Sequence, residues 1–159
     1  MPSPNQNFFT QHKKLIVILA ILLLIAATLT WYHWPRPLLS GKLLREAQDE
    51  VRTTFHVFQY IDGKAVEVTD RIDRAAVTEL LSKTRAVRHY STGDGVEAKY
   101  IRYTIDYGMG LGIRVGEPVL PYFAMNYAYL TSSGWLRPMW KLLDYEEVIV
   151  LLDNMLAQN

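Results

Sequence analysis

From Leu15 to Trp34, twenty residues pass without a Lys, Arg, Asp or Glu. As a helix this run is about 30 Å long, the thickness of a bilayer's hydrocarbon core. Leu15 to Leu29 is almost purely aliphatic on every side, whereas the helix of a soluble domain keeps a polar stripe. Trp31, Tyr32 and Trp34 come next, as an aromatic belt at the far interface requires, and Pro35 and Pro37 then stop the helix. A buried core helix is a poor alternative, because the 120 residues after position 39 could not wrap it.

The segment reads as a retained transmembrane helix, a signal-anchor. A cleaved signal peptide is the competing reading: Lys13 and Lys14 supply a basic start, and Ile25-Ala26-Ala27 a poor cleavage site. Beyond that site, Thr28 to Trp31 is still apolar and shows no polar mature start. The flanking charges do not fix the orientation. Lys13 and Lys14 stand on one side, and Arg36, Lys42 and Arg45 on the other. The paired lysines touch the apolar core directly and the tail before them is short, which favours the N-terminus inside. The expected layout is therefore a cytoplasmic tail (1–14), a transmembrane helix (15–34), a juxtamembrane linker or helix (35–50) and an extracytoplasmic α+β domain (51–159). Lys13, Lys14, Trp31, Tyr32 and Trp34 are the membrane-flanking residues.

Residues 40–159 are near neutral, with 14 basic and 16 acidic side chains. Such a domain has no electrostatic footprint for nucleic acid. The chain has no cysteine, so disulfides, thiolate metal sites and a cysteine nucleophile are excluded.

The clearest local signal is "FHVFQYIDGKAVEVTD", Phe55 to Asp70. Asp62-Gly63 is a two-residue hairpin turn that pairs Ile61 with Lys64, Gln59 with Val66 and Val57 with Val68. Thr69 or Asp70 then caps a helix whose apolar face holds Ile72, Ala76, Val77, Leu80 and Leu81. Ser40 to Val51 reads as a short helix capped by Ser40, with Leu43, Leu44, Ala47 and Val51 on one face. Ser91 to Gly95 reads as a loop. Ile101, Tyr103, Ile105 and Tyr107 alternate with polar residues as a half-exposed strand. A three-residue loop, Asp106-Tyr107-Gly108, sets Ile105 against Met109, Tyr103 against Leu111 and Ile101 against Ile113. Phe123 to Tyr129 alternates as another strand, Trp135 to Trp140 is a short return strand, and Asp144 with Glu147 opens an amphipathic last helix. The expected fold is α+β: an antiparallel sheet of about five to seven strands with helices packed on one face.

The stretch "VFQYIDGKAVEVTDRIDRAAVTELL" resembles the opening of several small extracytoplasmic domains of unknown function in Gram-positive bacteria. These begin with an apolar strand, a D-G turn, a strand closing in T-D and a helix, often behind a lipid anchor or a single span. The chain lacks the cysteine of the lipid-anchored members. The resemblance implies an architecture and carries over no catalytic residue.

Recognisable chemistry is sparse. His12, His33, His56 and His89 lack metal-ligand spacing, and no serine sits in a G-x-S-x-G context; Ser91, Ser132 and Ser133 fall in turns. Gly108, Gly110 and Gly112 fail the G-x-G-x-x-G spacing, and no helix comes after them. Alternate glycines instead bare one face of a strand, where another backbone or a ligand can approach. With Tyr100, Arg102 and Arg114 as walls, Gly110 and Gly112 define a candidate binding face. Arg71, Arg74, Lys83, Arg85 and Arg88 make the first domain helix and its exit basic, either as a solvated face or as a contact with anionic lipid or wall polymer. No acid pair is placed for proton transfer, and no cofactor is implied. These features favour a non-enzymatic membrane-anchored module that binds a protein, peptide or envelope component. The alternatives are an enzyme of unrecognised type, and a structural subunit of a membrane complex, for which the span offers no G-x-x-x-G.

Overall fold

A computed structural model of the chain describes residues 12–89, 100–108, 110–116, 127–130 and 139–158. The chain divides into two compact units, Met1–Trp34 and Pro35–Asn159. In the first, helix α1 runs Lys13–Tyr32 with a mean hydropathy of 2.6, and none of its side chains is buried. It is long and apolar enough to cross a membrane. The Thr28 and Thr30 hydroxyls donate to the carbonyls of Leu24 and Ala26, so they add no unsatisfied polar group to the apolar surface. The helix stops at Tyr32, two residues short of the expected end. Trp34 precedes Pro35, whose ring disfavours helical backbone in the residue before it.

The second unit is α+β. Its strands are β1 (Arg36–Pro37), β2 (His56–Ile61), β3 (Lys64–Glu67), β4 (Arg85–His89), β5 (Ile101–Asp106), β6 (Leu111–Gly116), β7 (Tyr127–Leu130) and β8 (Met139–Leu142). They form one eight-stranded antiparallel sheet in the order β1-β4-β8-β7-β6-β5-β2-β3. The helices are α2 (Gly41–Gln48), α3 (Arg74–Lys83) and α4 (Tyr145–Gln158), with a 3₁₀ turn at Thr69–Arg71. The stretch 35–50, expected as a linker or helix, is built into this unit. Arg36 and Pro37 pair with β4, and Leu38, Leu39 and Ala47 are buried in its core.

The β2–β3 hairpin has the expected register at Ile61↔Lys64 and Gln59↔Val66, and the Val68 N–H bonds the Val57 carbonyl at 2.8 Å. Asp62 and Gly63 both have positive φ, 52° and 75°, as a type I′ turn demands. Val57 and Val68 are both buried.

The β5–β6 register differs from the expected one. Ile105 faces Ile113, Tyr103 faces Val115 and Ile101 faces Gly116. The loop is longer because Tyr107 is drawn into the core, where its hydroxyl shares a 2.8 Å hydrogen bond with Thr78. The turn then closes with the Tyr107 N–H on the Leu111 carbonyl, and both Gly108 and Gly110 are left-handed, φ 63° and 81°. The slip at Ile105 and Tyr103 is an even number of residues and a bulge absorbs the odd one before Ile101, so Ile101, Tyr103, Ile105, Leu111 and Ile113 are still all buried.

Other local readings change as well. Asp73 caps α3, its carboxylate accepting from the N–H groups of Ala75 and Ala76, while Thr69 and Asp70 lie in the 3₁₀ turn before it. Helix α2 ends at Gln48, so Val51 lies outside it and is exposed. Ser40 occupies the cap position of α2 without a side-chain cap bond. The loop at 91–95, Phe123, Met125 and residues 135–138 lie outside the described residues. The core joins Val57, Tyr103, Ile105, Ile113, Val115, Ala128 and Leu142 of the sheet to Val77 and Leu81 of α3 and Val148 and Leu152 of α4.

Candidate functional site

The alternation of β5 and β6 puts Thr104, Gly112, Arg114 and Gly116 on the face opposite the buried one. Across this face Phe58 of β2 stands beside Thr104, which stands beside Arg114, and the backbone of Tyr127 lies next. Arg114 and Phe58 are half-buried. The Thr104 hydroxyl is buried and has no hydrogen-bond partner among the described residues. Buried hydroxyls in folded proteins are normally paired. Two of the five residues of the expected binding face, Gly112 and Arg114, therefore lie on one strand and one face, next to a hydroxyl that has no partner among the described residues.

The other three are elsewhere. Gly110 belongs to the turn and not to the strand. A bulge sets Ile101 and Arg102 against Gly116 alone. It turns Arg102 away from the glycines, and the guanidinium donates to the Asp153 carboxylate of α4 at 2.7 Å. Tyr100 precedes the strand and comes close to Gly116 through its backbone. A Cβ added at Gly116 would lie 2.1 Å from the Tyr100 carbonyl oxygen. The close backbone approach expected of the glycine run thus occurs at Gly116.

Asp153 also accepts from the Tyr103 hydroxyl at 2.6 Å, and the Gln59 amide donates to that hydroxyl at 3.3 Å. Burial, reinforced by the neighbouring carboxylate, pushes the Tyr103 phenol up to about 12. Tyr107 is pushed to about 12 by burial as well, against the opposing pull of the Thr78 hydrogen bond and the nearby Arg74 charge. Both phenols stay protonated at neutral pH and lock helices to the sheet.

The basic residues of α3 and its exit divide by role. Arg74 faces inward and holds the end of α2, donating to the carbonyls of Ala47, Asp49 and Thr53 and to the Thr53 hydroxyl. Its guanidinium lies over the rings of Phe55 and Tyr107. Arg71 donates to the Leu156 carbonyl. Lys83 pairs with Glu79 one turn back, and the bidentate contact of Arg85 with Asp144 holds that carboxyl below its usual range. Arg88 is exposed.

One cavity, of about 600 Å³, is lined by Lys42, Arg45, Glu46, Asp49, Arg52 and Thr53. Another, of about 320 Å³, includes Glu50, Arg74, Thr78, Glu79 and Ser82. Glu79 is lowered by its hydrogen bond to Lys83 on the same helix, a contact that stabilises the helix rather than poising a proton. No group of three or more His, Asp or Glu side chains able to hold a metal occurs among the described residues. His56 bonds Glu67 at 2.8 Å and stacks on Phe58, and the hydrogen bond to His56 lowers Glu67.

Of the membrane-flanking set, Lys13 and Lys14 open α1, Trp31 and Tyr32 close it, and Trp34 lies beyond its end. No protein-family model, curated protein or solved structure matches this chain.

Proposed function

We propose that the chain is a single-pass membrane protein, oriented with its N-terminus in the cytoplasm, whose folded unit stands outside the cytoplasm as a non-enzymatic binding module. Its partner is a protein, a peptide or a component of the envelope. The observation that carries the membrane part is α1, twenty residues of mean hydropathy 2.6 with no buried side chain. The architecture after it also fits the resemblance to small anchored extracytoplasmic domains. The binding part rests on the face of β5 and β6 opposite the core, where Gly112, itself buried, offers no side chain beside Arg114 and a Thr104 hydroxyl that has no hydrogen-bond partner among the described residues.

Gly110 is a poor probe of that face, because its φ of 81° strains any substitution. Gly112 and Arg114 are the informative positions. A pull-down from native membranes with the full chain should recover a partner that Gly112→Ala with Arg114→Gln no longer recovers, while the variant's melting temperature stays near the parent's. Unchanged recovery by the folded variant removes this face from consideration.

A further inference from the structure

Helix α2 and the turn after it gather basic side chains around one cavity. Lys42, Arg45, Glu46 and Asp49 fall three and four residues apart, so they are neighbours along one side of the helix. With Arg52 and Thr53 they line the cavity of about 600 Å³, and every lining side chain is charged or carries a hydroxyl. Both acids are engaged. Asp49 Oδ1 accepts from the N–H groups of Val51 and Arg52, at 3.2 and 3.1 Å, and Oδ2 lies 3.5 Å from the Arg52 guanidinium. Glu46 lies 3.5 Å from the Lys42 ammonium. Arg45, one turn before Asp49, is exposed and makes no ion pair or hydrogen bond among the described residues. A cation in the last turn of a helix often serves the terminal carbonyls. Here Arg74 already bonds the carbonyls of Ala47 and Asp49, so that role does not account for Arg45. The turn that carries Arg52 is itself held, because the Thr53 hydroxyl donates to the Asp49 carbonyl and accepts from Arg74, both at 2.6 Å.

We infer that this cavity binds a small phosphate ester, with Arg45 as its anchor and Lys42 and Arg52 flanking it. The inference goes beyond the proposed binding face and depends neither on that face nor on the membrane span. Basic side chains outnumber acids three to two around the cavity. The Lys42 and Arg52 side chains are 82 % and 85 % exposed, and exposed pairs of this kind contribute little to stability, so an incoming anion can draw both cations to itself. A phosphate monoester carries about −1.5 to −2 charge at neutral pH and three strong acceptor oxygens. That matches two guanidinium forks and an ammonium better than a carboxylate, with its single charge and two oxygens. The volume is within the range of small-molecule sites. The wholly polar lining suits a hydroxylated remainder, such as a polyol or a sugar, over an apolar one.

Equilibrium dialysis of the full chain in an uncharged detergent tests the site, with radiolabelled glycerol phosphate as the probe and unlabelled glycerol and acetate as competitors. Saturable binding is expected that neither competitor displaces at the concentration where unlabelled glycerol phosphate does. About 1 M salt, where the screening length is about 3 Å, should abolish it. Arg45→Gln should weaken binding about tenfold or more, and Arg45→Lys should weaken it less. Glu46→Gln, which frees Lys42, should tighten it, an effect that a purely structural role for Arg45 does not produce. Thermal melts establish that each variant is folded. The absence of saturable binding, displacement by acetate as effective as by glycerol phosphate, or an unchanged affinity in folded Arg45→Gln overturns the site. Gly112→Ala with Arg114→Gln should bind the probe as the parent does. Loss of binding in that variant, with Arg45→Gln unaffected, would refute the cavity site and leave the sheet face standing.

Discussion

Single residues hold this fold at two kinds of point. The first is the buried phenol. Tyr103 and Tyr107 both have hydroxyls whose ionisation is pushed to about 12 in the folded chain, against an ordinary tyrosine near 10. A group raised on folding stabilises the fold below its unfolded pKa and ceases to do so as the pH passes its folded value. The stability contributed by these two hydroxyls is therefore complete below about pH 10 and lost between about 10 and 12. An absorbance titration at 295 nm should show a late group of tyrosines whose ionisation coincides with unfolding. In Tyr103→Phe with Tyr107→Phe that late group should be missing. The second kind of point is the glycine that no other residue can replace. Gly116→Ala brings a methyl within 2.1 Å of the Tyr100 carbonyl, so the β5 bulge must shift. A loss of about 1–3 kcal/mol in a denaturant melt is expected, as for other overpacked sites. A melt equal to the parent's would mean that the bulge yields freely.

Among the elements, those written in local chemistry are legible in the sequence and those set by distant contacts are not. The β2–β3 hairpin follows from Asp62-Gly63, since both positions adopt the left-handed backbone that the turn needs. Gly63→Ala should cost about 1 kcal/mol for the same reason. Helix α3 is legible as a helix, but its start is not, because three candidate caps lie within five residues. Asp73, not Thr69 or Asp70, makes the bonds, and Asp73→Ala should lower stability by about 1 kcal/mol while Asp70→Ala leaves the melt unchanged. Strand β4 is hidden inside a basic stretch that reads as a helix exit. Its partner β8 lies about fifty residues further on, where no local pattern can announce it. The register of β5 and β6 departs from the expected one because a short loop fits the sequence, whereas Tyr107 gains more by burial under α3. The candidate face meets the same limit. Alternation alone sends Arg102 outward with Gly112, and only the bulge opposite Gly116 swings it to Asp153. Thr104, which stands beside Arg114, has no sequence signal at all, because a buried hydroxyl without a partner among the described residues is a property of the packed sheet.

At the scale of the whole molecule, an apolar helix that buries nothing precedes a folded unit with its own core. The helix exposes a continuous run of aliphatic side chains, and a contiguous apolar surface of that kind marks a site of contact with a membrane or a partner. The central claim is that this helix spans a membrane and that the unit from Pro35 onward stands outside the cytoplasm. The most direct test places one cysteine at Ala65, which is exposed on β3, in the otherwise cysteine-free chain, and treats intact cells with a membrane-impermeant maleimide. A span with the folded unit outside predicts labelling of a full-length, carbonate-resistant membrane protein before lysis, to the same extent as after it. Labelling only after lysis, or a labelled chain that carbonate releases from the membrane, would contradict it.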